Sequence, residues 1–241
     1  MRLAIISDIH GNLLALETTL AEIDTLGVDR LICLGDVAEL GPQPHEVVSR
    51  LRALGCPVVM GNTDANLLSP DPQDADSPDA QLIADIDRWS AAQLSPDDRA
   101  LMAAFAPTLT VDLDGAGQLL CYHGSPASFS DQIRSTTLDE QLAQWLGEEG
   151  PRLYAGGHTH VQMLRRFRDA LVLNPGSVGL PFDRVPGAVH NPAWAEYAVV
   201  AVEGQRLSVD LRRAPYDVAA LRAAALASAM PHADTWAADW V

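Results

Sequence analysis

Short apolar runs, each cut off by polar or glycine residues, organise the first two thirds of this chain. Leu3-Ala4-Ile5-Ile6 stops at Ser7-Asp8-Ile9-His10-Gly11-Asn12, residues 30–34 stop at Gly35-Asp36, and Pro57-Val58-Val59-Met60 stops at Gly61-Asn62-Thr63-Asp64. Residues 119–122 stop at His123-Gly124, residues 153–155 at Gly156-Gly157-His158-Thr159-His160, and residues 171–173 at Asn174-Pro175-Gly176-Ser177. Runs this short, several rich in β-branched residues, predict buried strands. Between the first three, apolar positions recur at helical spacing. Leu13, Leu16, Leu20 and Ile23 share one face, so helices are predicted over 13–26 and 45–54, the second entered through Gly41-Pro42-Gln43-Pro44. Strand, helix, strand, helix, strand implies right-handed crossovers and a parallel core.

Residues 69–79 are acidic, rich in proline and without an apolar face, which predicts an exposed loop. Helical patterns follow over 80–93 and 96–105. Ser95 is placed to cap the second, with Pro96 at its first position and Asp97 and Asp98 in its first turn. Residues 80–105 form either a small helical cap beside a site or plain packing, and packing is the simpler expectation. From residue 109 onward strands dominate, at 109–113, 118–122, 153–155, 161–167, 170–173, 194–202 and 206–212. Turn residues such as Asp114-Gly115 and Arg168-Asp169 predict hairpins and a largely antiparallel sheet. One helix is expected near 138–146, and an alanine-rich one over 217–230. Trp236 and Trp240 beyond it either fold back or meet a second subunit. With no repeat and no linker, residues 1–241 are expected to form a single α/β domain of two sheets with helices outside both.

Composition narrows the chemistry. The formal charge of −16 argues against a long nucleic acid as standing partner, though not against a small phosphate, because a local metal reverses the field. No lysine occurs, and all 16 basic residues are arginine. A Walker lysine, a Schiff-base lysine and a kinase lysine are therefore excluded. No apolar run approaches the roughly 20 residues of a membrane span. Met1-Arg2 leads straight into the first strand with no room for a signal peptide, so a cytoplasmic location is expected. Cys33, Cys56 and Cys121 sit in or beside apolar runs and read as small buried hydrophobes.

Ligands of open α/β sheets bind outside the carboxyl ends of the strands, and all six apolar runs end there in polar or glycine residues. Asp8 and His10, two apart in extended chain, are expected to point to one side. Asp8, His10, Asp36, Asn62, His123, His158 and His160 together suffice for two divalent ions sharing a bridging carboxylate. Such a pair clamps an in-line displacement at phosphorus and makes hydroxide from a shared water. The mixed nitrogen and oxygen donors suit Mn, Fe, Zn, Co or Ni better than Mg or Ca. His45, His190 and His232 fall in loops or helix starts and read as surface or structural.

In order and spacing, Asp8-x-His10, Gly35-Asp36, Gly61-Asn62-x-Asp64, His123-Gly124 and Gly157-His158-Thr159-His160 resemble the motifs of the calcineurin-like metallophosphoesterase superfamily. The resemblance covers residue 3 to about residue 180. With Asn174-Pro175-Gly176-Ser177-Val178-Gly179 it is most similar to the small bacterial and archaeal phosphodiesterase branch. It implies a four-layer α/β/β/α sandwich of two mixed sheets flanked by helices. It also implies a two-metal phosphodiesterase acting on small or nucleotide-like phosphate esters. Asp8, His10, Asp36 and His160 would hold one metal, and Asp36, Asn62, His123 and His158 the other. Manganese is the first choice, with Fe, Zn, Ni or Co as alternatives, and Asp36, Asn62, His123 and Asp64 are the candidate catalytic residues. The chain departs from the family at Thr63, where many members carry a histidine that contacts substrate. Thr63 and Arg184 are the candidate substrate contacts, the plainer reading of Arg184 being a solvated loop arginine. The alternatives are a phosphomonoesterase or protein phosphatase on the same site, or a non-catalytic metal-binding scaffold. An amidohydrolase would commonly carry His-x-His on its first strand and often use a modified lysine, whereas this chain has Asp-x-His first and no lysine. The expected partner is a small phosphate ester, with no membrane or long nucleic acid, and homo-oligomers are left open.

Overall fold

The computed structural model describes residues 1–70, 77–147, 150–185 and 188–241. The chain opens with β1 (Arg2–Ile6), α1 (Leu13–Thr25), β2 (Arg30–Cys33) and α2 (Pro44–Leu54), followed by α3 (Asn62–Leu68), α4 (Pro78–Gln93) and α5 (Pro96–Ala103). Then come β3 (Leu109–Asp112), β4 (Gln118–Cys121), α6 (Asp139–Leu146), β5 (Leu153–Ala155), β6 (Met163–Phe167) and β7 (Ala170–Asn174). A short hairpin, β8 (Asp183–Val185) and β9 (Ala188–His190), precedes β10 (Trp194–Glu203), β11 (Arg206–Pro215), α7 (Val218–Ala227) and α8 (Ala233–Ala238).

Two mixed sheets carry the fold, one ordered β11-β10-β1-β2 and the other β3-β4-β5-β7-β6. The period-two alternation of β1 separates its two sides. Leu3 and Ile5 face the second sheet, packing with Leu119, Leu153 and Leu173, whereas Ala4 and Ile6 face α1 and α2, with Leu16, Leu20, Val47 and Val48. On the far side of the second sheet, Leu142 and Leu146 of α6 pack on Tyr154, Phe167 and Val172. The layers therefore run helix, sheet, sheet, helix.

Several elements differ from their sequence pattern. Residues 57–60 are not a full strand. Only the isolated parallel bridges Cys33↔Val58 and Val59↔Ala106 form, and Pro57 at the start of the run has no N–H to donate. The strands after residue 109 do not make one antiparallel sheet. β4, β5 and β7 are parallel neighbours, and β10 returns to the first sheet antiparallel to β1. Helix α3 was not expected, since Gly61-Asn62-Thr63-Asp64 reads equally as a turn. Asp64 at its third position bonds back to the Gly61 N–H and starts the helix.

Helices α4 and α5 pack on α2 and α3. The tail folds back on the body: Trp236 and Trp240 are buried with Ile86, Leu221 and Ala225, their rings 5.2 Å apart. No helix among the described residues is long and apolar enough to cross a membrane. Most of the acidic loop expected at 69–79, residues 71–76, lies outside the described residues.

Candidate metal centre

The centre forms where the carboxyl ends of β1, β2, β4 and β5 converge. Backbone bonds zip the loop after β1 to the loop after β2, Asp8 N–H to Gly35 O at 2.9 Å and His10 N–H to Asp36 O at 3.0 Å. Asp8 and His10 thus lie beyond the end of β1, and the loop path rather than strand pleating brings them together. Asp8, His10, Asp36, His158 and His160 all have positive φ, between 46° and 66°. Left-handed backbone at a non-glycine residue costs about 1–3 kcal/mol and persists only where its surroundings impose it. Asn174 and Ser177 are part of those surroundings: Asn174 Nδ2 donates to Gly157 O at 2.7 Å, and Ser177 Oγ donates to Asp8 O at 2.7 Å.

Two overlapping ligand groups result. Asp8, His10, Asp36 and His160 each offer an atom within 4.8 Å of the others, and so do Asp36, His123 and His158. Asp36 belongs to both. His123 Nε2 lies 3.2 Å from Asp36 Oδ2 and 3.0 Å from Asn62 Oδ1, which adds Asn62 to the second group. The His158 N–H donates to the Asp8 carboxylate at 3.2 Å.

The imidazole tautomers follow from their outer partners. The Nδ1 atoms of His10, His123 and His160 face the carbonyls of Glu39, Leu34 and Leu180 at 3.2, 2.8 and 2.6 Å. A carbonyl only accepts, so each Nδ1 carries the hydrogen and each Nε2 presents a lone pair inward. His10 Nε2 and His160 Nε2 then face each other at 3.1 Å, and His160 Nε2 faces Asp8 Oδ1 at 3.3 Å. Lone pairs crowded against carboxylates in a buried space need a proton or a metal ion between them.

The charge balance says the same. Burial favours the neutral His123 ring, but the charge of Asp36 and its hydrogen bond outweigh this and push His123 up to about 10. Burial also opposes ionised Asp36 and Asp8, yet His123 holds Asp36 and His160 holds Asp8 below their ordinary range. Burial first, then the neighbouring His160, push His10 down to about 4.

The pattern of the calcineurin-like phosphoesterase superfamily domain matches residues 1–204. The chain belongs to that family. A metallophosphoesterase from Sphaerobacter thermophilus is 27% identical and superposes with a TM-score of 0.76 over 99% of this chain and 98% of its own. The uncharacterised protein MJ0912 of Methanocaldococcus jannaschii is 24% identical, over 90% of this chain and 88% of its own. Yfce, a phosphoesterase from E. coli, is 25% identical with a TM-score of 0.50, over 90% of this chain and all of its own.

In this metallophosphoesterase the donor set fits the divalent metals of its family: buried carboxylates, inward imidazole lone pairs and an amide oxygen. One sequence expectation changes. Asp64 does not face the reacting centre but is fully buried, its carboxylate accepting the N–H groups of Asp36, Val37 and Gly61 at 2.9–3.0 Å. It braces the loop that carries Asp36. Burial and the charge of Asp36 push its carboxyl up to about 7. Thr63 is buried beside the centre, its N–H donating to Asp36 Oδ1 at 3.0 Å. Arg184 lies on β8, and its side chain is outside those described. The other histidines stand apart: His45 pairs with Asp98, His232 with Asp85, and His190 is exposed.

Some nearby residues went unread in the sequence. Phe182 lays its ring 4.9 Å from that of His160. Glu39, three residues after Asp36, is buried, and burial together with Asp87 raises its carboxyl well above the ordinary range. Its one sequence signal is an acid between two otherwise apolar positions, Ala38 and Leu40.

Proposed function

We propose that this metallophosphoesterase is a two-metal phosphodiesterase that hydrolyses small or nucleotide-like phosphate esters. The observation that carries the reading is the inward convergence of three Nε2 lone pairs and two carboxylates, with Asp36 common to both ligand groups. Asp8, His10, Asp36 and His160 would hold one ion, and Asp36, Asn62, His123 and His158 the other, manganese being the first candidate. When bound, the ions supply charge neutralisation for the phosphate and an activated water for in-line attack. The chain's own residues do the positioning. Thr63 and Asp64 fix the two ends of the Asp36 peptide and side chain, and the carbonyls of Glu39, Leu34 and Leu180 fix the three imidazoles.

The leaving oxygen needs a proton unless its alcohol is already acidic, and such help is typically worth about 10²–10⁴-fold. A threonine hydroxyl is too weak an acid to give it. Aryl diesters should therefore be cleaved faster than plain alkyl diesters. The test is a screen of phosphomonoesters, phosphodiesters and cyclic nucleotides with Mn, Fe, Zn, Ni or Co added in turn. Metal-dependent hydrolysis of diesters ahead of monoesters is the expected result. Preference for monoesters would refute the diester assignment, and no turnover with any metal would favour a scaffold.

A further inference from the structure

Two of the three carbonyls that orient the imidazoles lean on one peripheral structure, the C-terminal tail. The Leu180 carbonyl accepts from His160 Nδ1 at 2.6 Å, and the Glu39 carbonyl from His10 Nδ1 at 3.2 Å. The side chains of Leu180 and of Leu40, the residue after Glu39, both pack against the cluster of Leu221, Ala225, Met230, Trp236 and Trp240. Leu40 has a φ of 63°, a left-handed conformation that a leucine keeps only where its surroundings impose it. The tail cluster is part of those surroundings.

The tail is itself fastened. Arg222 on α7 donates from Nε to Ala237 O at 3.1 Å and from Nη2 to Trp240 O. The chain end then pairs with Asn191, whose N–H donates to Asp239 O at 2.7 Å and whose carbonyl accepts from the Val241 N–H at 3.1 Å. Asn191 follows β9, the far strand of the hairpin that Leu180 leads into. The tail therefore holds the segment from Leu180 to Asn191 at both of its ends. All of α7 and α8 lies beyond residues 1–204, the part that the family pattern matches.

The third carbonyl is held differently. Leu34 O accepts from His123 Nδ1 at 2.8 Å, and Leu34 is buried between the two sheets with Ile32, Val59 and Leu119, in a cluster that includes no described residue of α7 or α8. An outer hydrogen-bond partner fixes the direction of a metal-ligating imidazole, and losing it typically costs about 10–100-fold in metal affinity. His10 and His160 stand in the same ligand group, with Asp8 and Asp36, whereas His123 stands in the other. A disturbance of the tail reaches the first group and misses the second.

We propose that the C-terminal tail clamps Leu40 and Leu180 so as to position His10 and His160, and that it thereby sets the metal affinity of one position independently of the other. This rests on the two-metal reading. Arg222 and Trp240 are positioning residues that act through the two leucines.

Manganese binding to the metal-free chain, followed by titration calorimetry, tests it. Each position is read alone: His123→Ala with His158→Ala leaves the first, and His10→Ala with His160→Ala leaves the second. Into each is placed Trp240→Ala, or the milder Arg222→Ala, which keeps the aromatic cluster should the larger change unfold the chain. Leu142→Ala on α6, buried on the far side of the second sheet, is the control for stability lost elsewhere. Either tail variant should weaken manganese binding at the first position by about tenfold or more and leave the second within about twofold, and Leu142→Ala should change neither. Equal weakening of both positions, no weakening of the first, or an equal effect of Leu142→Ala overturns the clamp and leaves the two-metal reading standing. Failure of either single-position parent to bind manganese overturns that reading and the clamp with it.

Discussion

Replacing Gly61 by alanine should remove activity while leaving the chain folded. An alanine Cβ at this position would lie 2.1 Å from Asp36 Oδ1 and 2.4 Å from Asp36 N. The φ of −92° is one that any residue adopts, so backbone strain plays no part. The cost is purely steric, and it falls on the carboxylate common to both ligand groups and on the backbone N–H of the same residue. To reach ordinary contact at 3.4 Å, the Asp36 oxygen must retreat from 2.1 Å by more than an ångström, and a misplacement of about 1 Å already costs on the order of 10²-fold in rate, or about 2.7 kcal/mol of barrier. Gly55 supplies the opposite control. It has φ 62° and nothing within 4 Å of its would-be Cβ, so Gly55→Ala should cost about 1–2 kcal/mol of stability and no activity. The assay is kcat/KM on an aryl phosphodiester with excess manganese, together with bound metal per chain and a melting curve. A Gly61→Ala protein within threefold of the parent, with metal content unchanged, would refute the steric reasoning.

Three further outcomes are expected. Asp36→Asn should lose metal from both positions and more activity than Asn62→Ala, whereas full activity with two metals per chain would end the bridging role. Chelation should lower the melting temperature, since an ion present at 100 times its Kd stabilises the native state by about 2.7 kcal/mol and each kcal/mol moves a chain of this size by about 2–4 °C; an unchanged melt after verified metal removal would contradict this. Asp98 is buried and bonded to His45 Nδ1, Arg52 and Ser95. Burial opposes its charge, but those bonds prevail and hold its carboxyl down to about 2. Its folded value lies below the unfolded one, so its stabilisation is present above about pH 4 and fades as pH falls toward 2. Asp98→Asn should thus melt lower at pH 7, by about 1–3 kcal/mol, with the gap to the natural protein closing in acid; a gap independent of pH would contradict the ion-pair account.

The residues of the two candidate ligand groups stand out in the sequence because each sits within a few residues of an abrupt apolar-to-polar boundary, as Asp36 does after Leu34-Gly35. The layering followed from the same boundaries. What escaped depends on contacts between distant residues. β10 is as apolar as a strand of the second sheet, and nothing in its own residues says that its partner is β1. Asp64 looked catalytic because a carboxylate beside Asn62 can serve metal, proton or backbone alike, and only the folded loop directs it to three N–H groups. Glu39 and Asp87 are 48 positions apart, in a loop and in a helix of unremarked polarity, so their meeting has no local signature.

The place of β1 has a consequence for the birth of the chain. It is a central strand, flanked by β2 on one side and by β10 on the other, with Arg2 opposite Ala201 and Ile5 opposite Ala198. The β2 side closes early, through α1. The β10 side waits until nearly 200 residues have followed, which at roughly 5–20 residues per second of synthesis is on the order of ten to forty seconds. Throughout that interval an apolar strand offers unpaired backbone to any neighbouring nascent chain, the hazard that finished proteins hide at sheet edges. The loops that carry the candidate ligands, residues 8 to 160, are all made before β10 closes the sheet. Yield in the cell should therefore depend on translation speed as well as on the stability of the finished fold.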